Sequence, residues 1–581
     1  MMNRKRNVLS ACIFTCIAVA MFLFLFAFSA AAETYGDLSY EIIMGKSVRI
    51  TGCAGSASYV VIPETIEDLP VGSIAERAFA NHTELRSVTI PGTVKWLYRA
   101  TFEGCTNLSD VVIQNGVEYL QDGAFGRCSA LVSINIPESV KQLSAQTFNG
   151  CSGLYSIFVD ENNAKFSSDE QGFLYDKEKT ILVCLPNAIV GSVTIPESVT
   201  EIREFAAAEC ASVSQIHFPE SLEKIQPFAF FACTNLRTVQ LPKSVTFVGS
   251  SAFAACYSLQ TISVDSENTK FSADTYGVLY DKDKTALCAA PGAIRSYTIP
   301  DGVQKIGSYA FSYCTKLSEI KIPDSVTAIH TYAFNGCSKL KSVSTKAGVA
   351  SHAFNGCSEL VSADVGGAVG VQAFRDCKNL VSVQVAGSIG SYAFYGCIAL
   401  EDASMAEGAQ IIDTCAFAGC EALSTVTIPA SLKKVNERAF FGCSALSNIY
   451  YEGYLHEFQQ IAVQQSNEPF NSATVYPRPL GDNALSDVLL KQNGKEVTSL
   501  TRYGLVEVSF TANASEAVAV VAVYDENGCL LDASLIPVNG MTVADYTFKN
   551  RLYNVFSVKV FLMSDFLRMR SYGDTTIFKT A

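Results

Sequence analysis

Twenty cysteines and five histidines are the residues of this chain whose chemistry could build a reactive or metal-binding centre. In an exported protein that number of cysteines suggests disulfides. Zinc would ask for local pairs such as Cys-x-x-Cys. Neither reading fits the spacing. No Cys-x-x-Cys occurs, and Cys415 and Cys420 are separated by four residues. His82, His217, His330, His352 and His456 are scattered, with no His-x-x-x-His or His-Glu-x-x-His spacing. No Gly-x-Ser-x-Gly elbow and no phosphate-binding glycine loop is present. A Cys–His nucleophile would need one special cysteine, whereas most here occupy equivalent positions. Asp160, Glu161 and Asp265 could bind calcium, but their spacing matches no known loop and solvated carboxylates are the plainer reading. The residues that could do chemistry therefore point away from an enzyme, and no cofactor is implied.

The cysteines mark a period instead. They fall at 105, 128 and 151, at 210, 233 and 256, and at 314, 337, 357, 377, 397, 420 and 443. The common step is 23 residues, shortening to 20 between Cys337 and Cys397. Around each runs Ala-Phe-x-x-Cys-x-x-Leu-x-x-Val-x-Ile-Pro-x-x-Val-x-x-Ile, as in Ala310, Phe311, Cys314, Leu317, Ile320, Ile322, Pro323, Val326 and Ile329. His82 takes the cysteine place in one early copy, and Phe is lost before Cys210, giving fourteen copies. A unit this short cannot bury its own apolar face, so stacked units must bury it together. Leu-x-x-Val-x-Ile predicts a short strand with one face inward, ended by a proline that cannot donate to a ladder. At about 4.8 Å per strand, fourteen units predict a solenoid roughly 65 Å long. One cysteine per turn predicts a column of buried, reduced thiols whose parallel side chains do not converge into disulfides.

The repeat resembles the BspA-type leucine-rich repeat of bacterial surface proteins, over roughly residues 38–476. Val48 to Gly52, Val60 to Pro63 and Leu69 to Val71 resemble the family's opening. Ile449 to Gly453, Phe458 and Ile461 resemble its terminal cap, with Phe458 where Trp is usual. The resemblance implies a parallel-strand solenoid and attachment to host proteins, host cells or other bacteria. Fold alone does not give function.

The expected organisation is a signal peptide over 1–32, an N-terminal cap over 33–59, a solenoid over 60–448, a C-terminal cap over 449–480 and a β-sandwich-like domain over 481–581. Arg4, Lys5 and Arg6 precede an apolar run from Val8 to Phe28, and Ala30 to Ala32 offer a cleavage pattern. The run is also long enough for an uncleaved anchor. Leu9 to Cys12 resembles a lipoprotein box, but the apolar run follows Cys12 instead of preceding it. Two near-copies 105 residues apart interrupt the repeat, near 160–186 and 265–291, and read as hairpins with turns at Asp176 to Lys179 and Asp281 to Lys284. The 20-residue units lose their Ile-Pro step, which predicts a change of curvature there. Beyond 481 the alternating stretches Val506 to Phe510, Ala517 to Tyr524 and Phe556 to Leu562 predict the sandwich, and the run from Val558 to Ser564 resembles an accessory β domain of secreted proteins from gut Firmicutes, with Met563, Ser564 and Asp565 where that pattern has Trp-Asp.

A net charge of −13 argues against nucleic acid and anionic membrane surfaces as partners, and loss of the three leader cations makes it about −16. The candidate binding residues are the outward positions flanking Val in each strand, expected to line a concave face. They are Asp110, Asn135, Phe158, Gln215, His217, Gln240, Glu319, Lys321, Asp364, Gln384 and Tyr450. Amides and hydroxyls without an excess of one charge suit hydrogen bonding to an extracellular protein or glycan. Phe158 and Tyr450 are the aromatic anchors. The alternatives are that these residues merely solvate an exposed sheet, and that the protein is an envelope scaffold with the repeats as spacer.

Overall fold

The computed structural model describes residues 33–477, apart from 145 and 454, and in the remainder only the strands lying between 485 and 580. The leader expected over 1–32 lies outside the described residues. The described residues form two compact units, one up to 294 with 309–314, the other of 295–308 with those from 315 onward.

In both units most repeats contribute one strand of the Val-x-Ile type, usually four residues long, and one two-residue strand, and within each sheet each kind pairs in parallel with its counterpart in the next repeat. Ser87–Ile90 pairs with Asp110–Ile113, Ser133–Ile136 with Ser156–Val159, and Trp96–Leu97 with Tyr119–Leu120 and onward to Gln142–Leu143. Alternation decides what is buried: Val111 and Ile113 point in while Asp110 and Val112 point out. Proline then turns the chain, its carbonyl accepting from the residue three on, as Pro137 does from Val140.

The third side of each repeat is a run of tight turns, not a helix. Cys128 N–H donates to the Phe125 carbonyl and Leu131 N–H to the Cys128 carbonyl. The residue two before each Phe sits in the left-handed region, as Ala100 (φ 55°), Phe228 (φ 58°) and His352 (φ 58°) do. Their N–H groups bond carbonyls of the following repeat: Ala100 to Asp122, Phe228 to Ser250 and His352 to Val371. Local backbone strain is thus offset by a third ladder between repeats.

The core is a column of stacked rings. In the first unit the Phe79, Phe102, Phe125 and Phe148 centroids follow at 4.8, 5.4 and 6.1 Å. In the second, Phe334, Phe354, Phe374, Phe394, Phe417 and Phe440 follow at 4.9 to 5.3 Å, and Phe470 closes the column at 5.0 Å. Full burial of each ring contributes about 1.5–3 kcal/mol. Phe458 packs edge-on against Tyr451 and lies over Phe470. At the other end, Leu38–Ile43 and Ser47–Cys53 pair antiparallel, and Ser47–Cys53 opens the parallel ladder by pairing with Leu69–Ile74.

Each insertion is a three-strand antiparallel element, Phe166–Ser168, Leu174–Asp176 and Ile181–Cys184 in the first, whose last strand joins the short-strand ladder of the next repeat. Asn163 and Asn268, both fully buried, anchor the two copies. Asn163 donates to the carbonyls of Pro137 and Val140 and accepts from the N–H groups of Lys165 and Phe166. Gly172 (φ 76°) and Gly277 (φ 74°) lie against the preceding strand, where a Cβ would stand 2.4 Å from Ser156 Cβ or 2.5 Å from Thr261 Cα. Asp160 and Asp265 accept from the N–H groups of Asn162 and Glu267, closing turns.

In the 20-residue units the two-residue strands shrink to single bridges, Val349 to Val369 to Ile389. Consecutive backbones approach closely there, and a Cβ on Gly387 would lie 2.5 Å from Ala368 N.

The described C-terminal strands form one sheet. Gly504–Tyr524 pairs antiparallel with Leu530–Asn550 and with Ser557–Met563. The sequence reads two strands within 506–524 where the structure has one continuous strand. No second, facing sheet is present among the described residues, so the expected two-sheet sandwich is not shown.

Candidate functional site

The cysteines are structural. Most ladder thiols point back at the carbonyl of the ring-bearing residue one repeat earlier: Cys128 Sγ to Phe102 O at 3.2 Å, Cys377 to Phe354 O at 3.2 Å, Cys443 to Phe417 O at 3.2 Å; Cys210, Cys233 and Cys314 point instead at the carbonyls of Leu185, Ala207 and Pro291. The phenylalanine carbonyl already accepts its own turn N–H, and the thiol takes the second lone pair. His82 fills the same place with Nε2 2.6 Å from Ala54 O. Every described cysteine is a free thiol. Burial pushes the Cys105 and Cys357 thiols up to about 12, which keeps them protonated and unreactive at neutral pH. Among the described residues no three His, Cys, Asp or Glu side chains gather so as to hold a metal ion, and no helix is long and apolar enough to cross a membrane.

All eleven candidate residues are exposed on the outer face of the longer strand of their repeat. The period-2 alternation puts them there, since their neighbours fill the core. The structure gathers four of them. Glu319, Lys321, Asp364 and Gln384 surround a depression of about 550 Å³ in the second unit, floored by Ser342, Ser344 and Ser362. Ser344 Oγ donates to Asp364 Oδ2 at 3.2 Å, and Lys321 Nζ lies 3.9 Å from Glu319. Both are solvent-exposed arrangements that leave donors and acceptors available.

Tyr450 belongs to a second feature of that unit. Its ring stacks on Tyr476 at 5.2 Å, both nearly half exposed, beside a hollow of about 660 Å³ that Glu407 and Glu452 also line. In the first unit the candidates are distributed. Asn135 and Phe158 are register partners, His217 is opposite Thr194, Gln240 is opposite Ser263, and Asp110 accepts from Ser87 Oγ at 3.0 Å. Gln215 pairs in register with Thr238.

Sequence reasoning missed Tyr476, which lies past the repeat pattern, and Tyr59 and Val61, which are exposed on the first strand of the ladder. The Val-x-Ile alternation of the neighbouring strands, extended one repeat in each direction, would have found them.

Residues 53–173, 186–277, 288–388 and 367–474 match the BspA type leucine rich repeat region. No curated protein matches the chain. Among solved structures it is similar to a leucine rich cell surface protein of Faecalibacterium prausnitzii at 25% identity, covering 75% of this chain and 98% of that one, with a TM-score of 0.34. A leucine-rich repeat protein of Eubacterium ventriosum follows at 19% identity, 71% and 94% coverage and a TM-score of 0.40. The pneumococcal vaccine antigen PcpA matches at 17% identity, 78% and 99% coverage and a TM-score of 0.36. With the family match spanning well over half of its length, the chain belongs to the BspA-type leucine-rich repeat family.

Proposed function

We propose that the protein is exported or held at the bacterial cell surface and binds an extracellular protein or glycan through the outer face of the longer strands of its repeats, as an adhesin-like module. The observation that carries this is the convergence of Glu319, Lys321, Asp364 and Gln384 on one serine-floored depression. A sheet exposed only for solubility has no need of a concavity. Family membership supports the surface location, as do the leader-like residues 1–32. Ligand contact there is polar and multipoint, with Tyr450 and Tyr476 as an aromatic anchor further along the same sheet. The C-terminal sheet is read as part of a small β-sandwich that spaces the repeats from their attachment. The net charge of −13 argues against nucleic acid as a partner.

The experiment is an array of extracellular-matrix proteins, host surface proteins and glycans probed with residues 33–581. Saturable binding that weakens at least about tenfold when Asp364 and Gln384 are both replaced by Ala supports the reading. Saturable binding to none of them, or binding indifferent to the double replacement, overturns it and leaves the repeats as a spacer.

A further inference from the structure

The short-strand ladder of the first unit carries a cleft that the outward-face reading does not use. That ladder runs Trp96–Leu97, Tyr119–Leu120, Gln142–Leu143 and then stops, because the first insertion supplies its own strands to the repeats that follow. The interruption leaves a notch of about 620 Å³ between Gln142 and the segment Arg203 to Phe205. A volume of this size suits a small molecule or one or two sugar rings better than a protein surface.

The chain has a single tryptophan, and it lines this notch. The Trp96 ring stacks on Tyr119 at 3.8 Å and is 37% exposed. Around the two rings stand planar polar groups. Gln142 is exposed, Asp122 accepts from Ser144 Oγ, and Arg203 Nη1 reaches the edge carbonyl of Leu143 at 3.4 Å. Among the described residues the Arg203 guanidinium makes that one hydrogen bond and no ion pair. An apolar platform flanked by amide, carboxylate and guanidinium groups matches one class of ligand. A pyranose packs its C–H groups against apolar aromatic surface and turns a girdle of hydroxyls, each both donor and acceptor, toward the polar groups around it.

We propose that this notch is a saccharide-binding site, with the exposed rim of the Trp96–Tyr119 stack as its apolar wall and Gln142 and Arg203 as hydroxyl-reading groups. The site rests on the short-strand ladder alone and stands or falls separately from the function proposed above.

Because Trp96 is the only tryptophan, its emission reports this site directly. The purified chain is titrated with cellotriose, maltotriose and chitotriose, with trigalacturonate as an acidic arm and a triglycine-based peptide as a non-sugar arm. The expected result is a saturable blue shift and protection from acrylamide quenching with at least one saccharide. Arg203→Ala and Gln142→Ala should each weaken that response at least about tenfold, with circular dichroism unchanged. No emission change with any saccharide overturns the proposal. So does a response that persists in both variants, or one given only by the peptide.

Discussion

Cys357 Sγ lies 3.3 Å from the carbonyl oxygen of Phe334, one repeat upstream, and the same thiol-to-carbonyl contact recurs from Cys377 to Phe354 and from Cys397 to Phe374. The cysteine column is therefore a hydrogen-bonded seam that runs beside the phenylalanine column. Small size, tolerance of full burial and one weak donor suit cysteine to this place. Its reactivity is suppressed, not used.

The seam predicts a pH dependence. Burial raises the Cys105, Cys314, Cys357 and Cys443 thiols to about 12, against an ordinary value of 9.0. In the window between those values the unfolded chain releases thiol protons that the folded chain keeps. Stability contributed by the neutral thiols is thus complete below about pH 9 and falls as pH rises toward 12. Urea unfolding at pH 8 and pH 10.5 should show the loss, with iodoacetamide labelling the column only in the unfolded chain. Rapid labelling of the folded chain at pH 8 would contradict the buried seam.

Asn163 holds the first insertion through two donated and two accepted bonds while fully buried. Asn163→Ala strands two N–H groups and two carbonyls away from water. A loss of about 2–3 kcal/mol is expected, read as faster hydrogen exchange at Lys165 and Phe166, whose N–H groups donate to Asn163. Unchanged exchange there would mean the amide is not the anchor.

Gly172 and Gly191 separate two glycine effects. Both have positive φ, 76° and 79°, but a Cβ at Gly172 meets Ser156 at 2.4 Å while Gly191 has nothing within 4 Å. Gly191→Ala should cost about 1 kcal/mol, the penalty of the left-handed backbone. Gly172→Ala should cost clearly more and loosen the hairpin from Ile157, whose N–H donates to the Gly172 carbonyl. Equal effects on the unfolding midpoint would refute the close-packing account.

The repeat was legible because stacking makes each position do the same work thirteen or fourteen times. Phe102, Cys105, Leu108, Val111 and Ile113 announce ring column, thiol seam and strand from type and spacing alone. The disulfide question was also legible, since one thiol per turn cannot converge. What stayed hidden depends on contacts between distant positions. Nothing in Ala100 or Tyr332 signals a left-handed residue, because the hydrogen bonds that hold it come from the next repeat. The notch beside Trp96 arises from a strand missing from a ladder, an effect of the insertion some seventy residues away in sequence. The strand over 504–524 was split in the sequence reading because Asn513 to Glu516 break its apolar alternation; the pairing with Leu530–Asn550 shifts register between Ala514 and Ala517 and resumes beyond it. Among the outward residues, spacing marked which are exposed but not that Glu319, Lys321, Asp364 and Gln384 share one depression. That follows from where the 20-residue units begin.

Tyr450 and Tyr476 offer a check on the outer face that does not involve charge. Their rings stack at 5.2 Å while almost half exposed, so they stabilise the fold little and are available to a partner. Tyr450→Ala should leave the unfolding midpoint within about 0.5 kcal/mol of the parent while reducing ligand affinity severalfold. A large loss of stability with affinity unchanged would assign the pair to the C-terminal cap instead.

The most direct test of the central claim is the affinity of residues 33–581 for its best array ligand, measured with the parent and with Asp364 and Gln384 both replaced by Ala. The account predicts saturable binding by the parent and a loss of at least about tenfold in the double variant, with thermal unfolding unchanged. Identical affinities for the two proteins would contradict it.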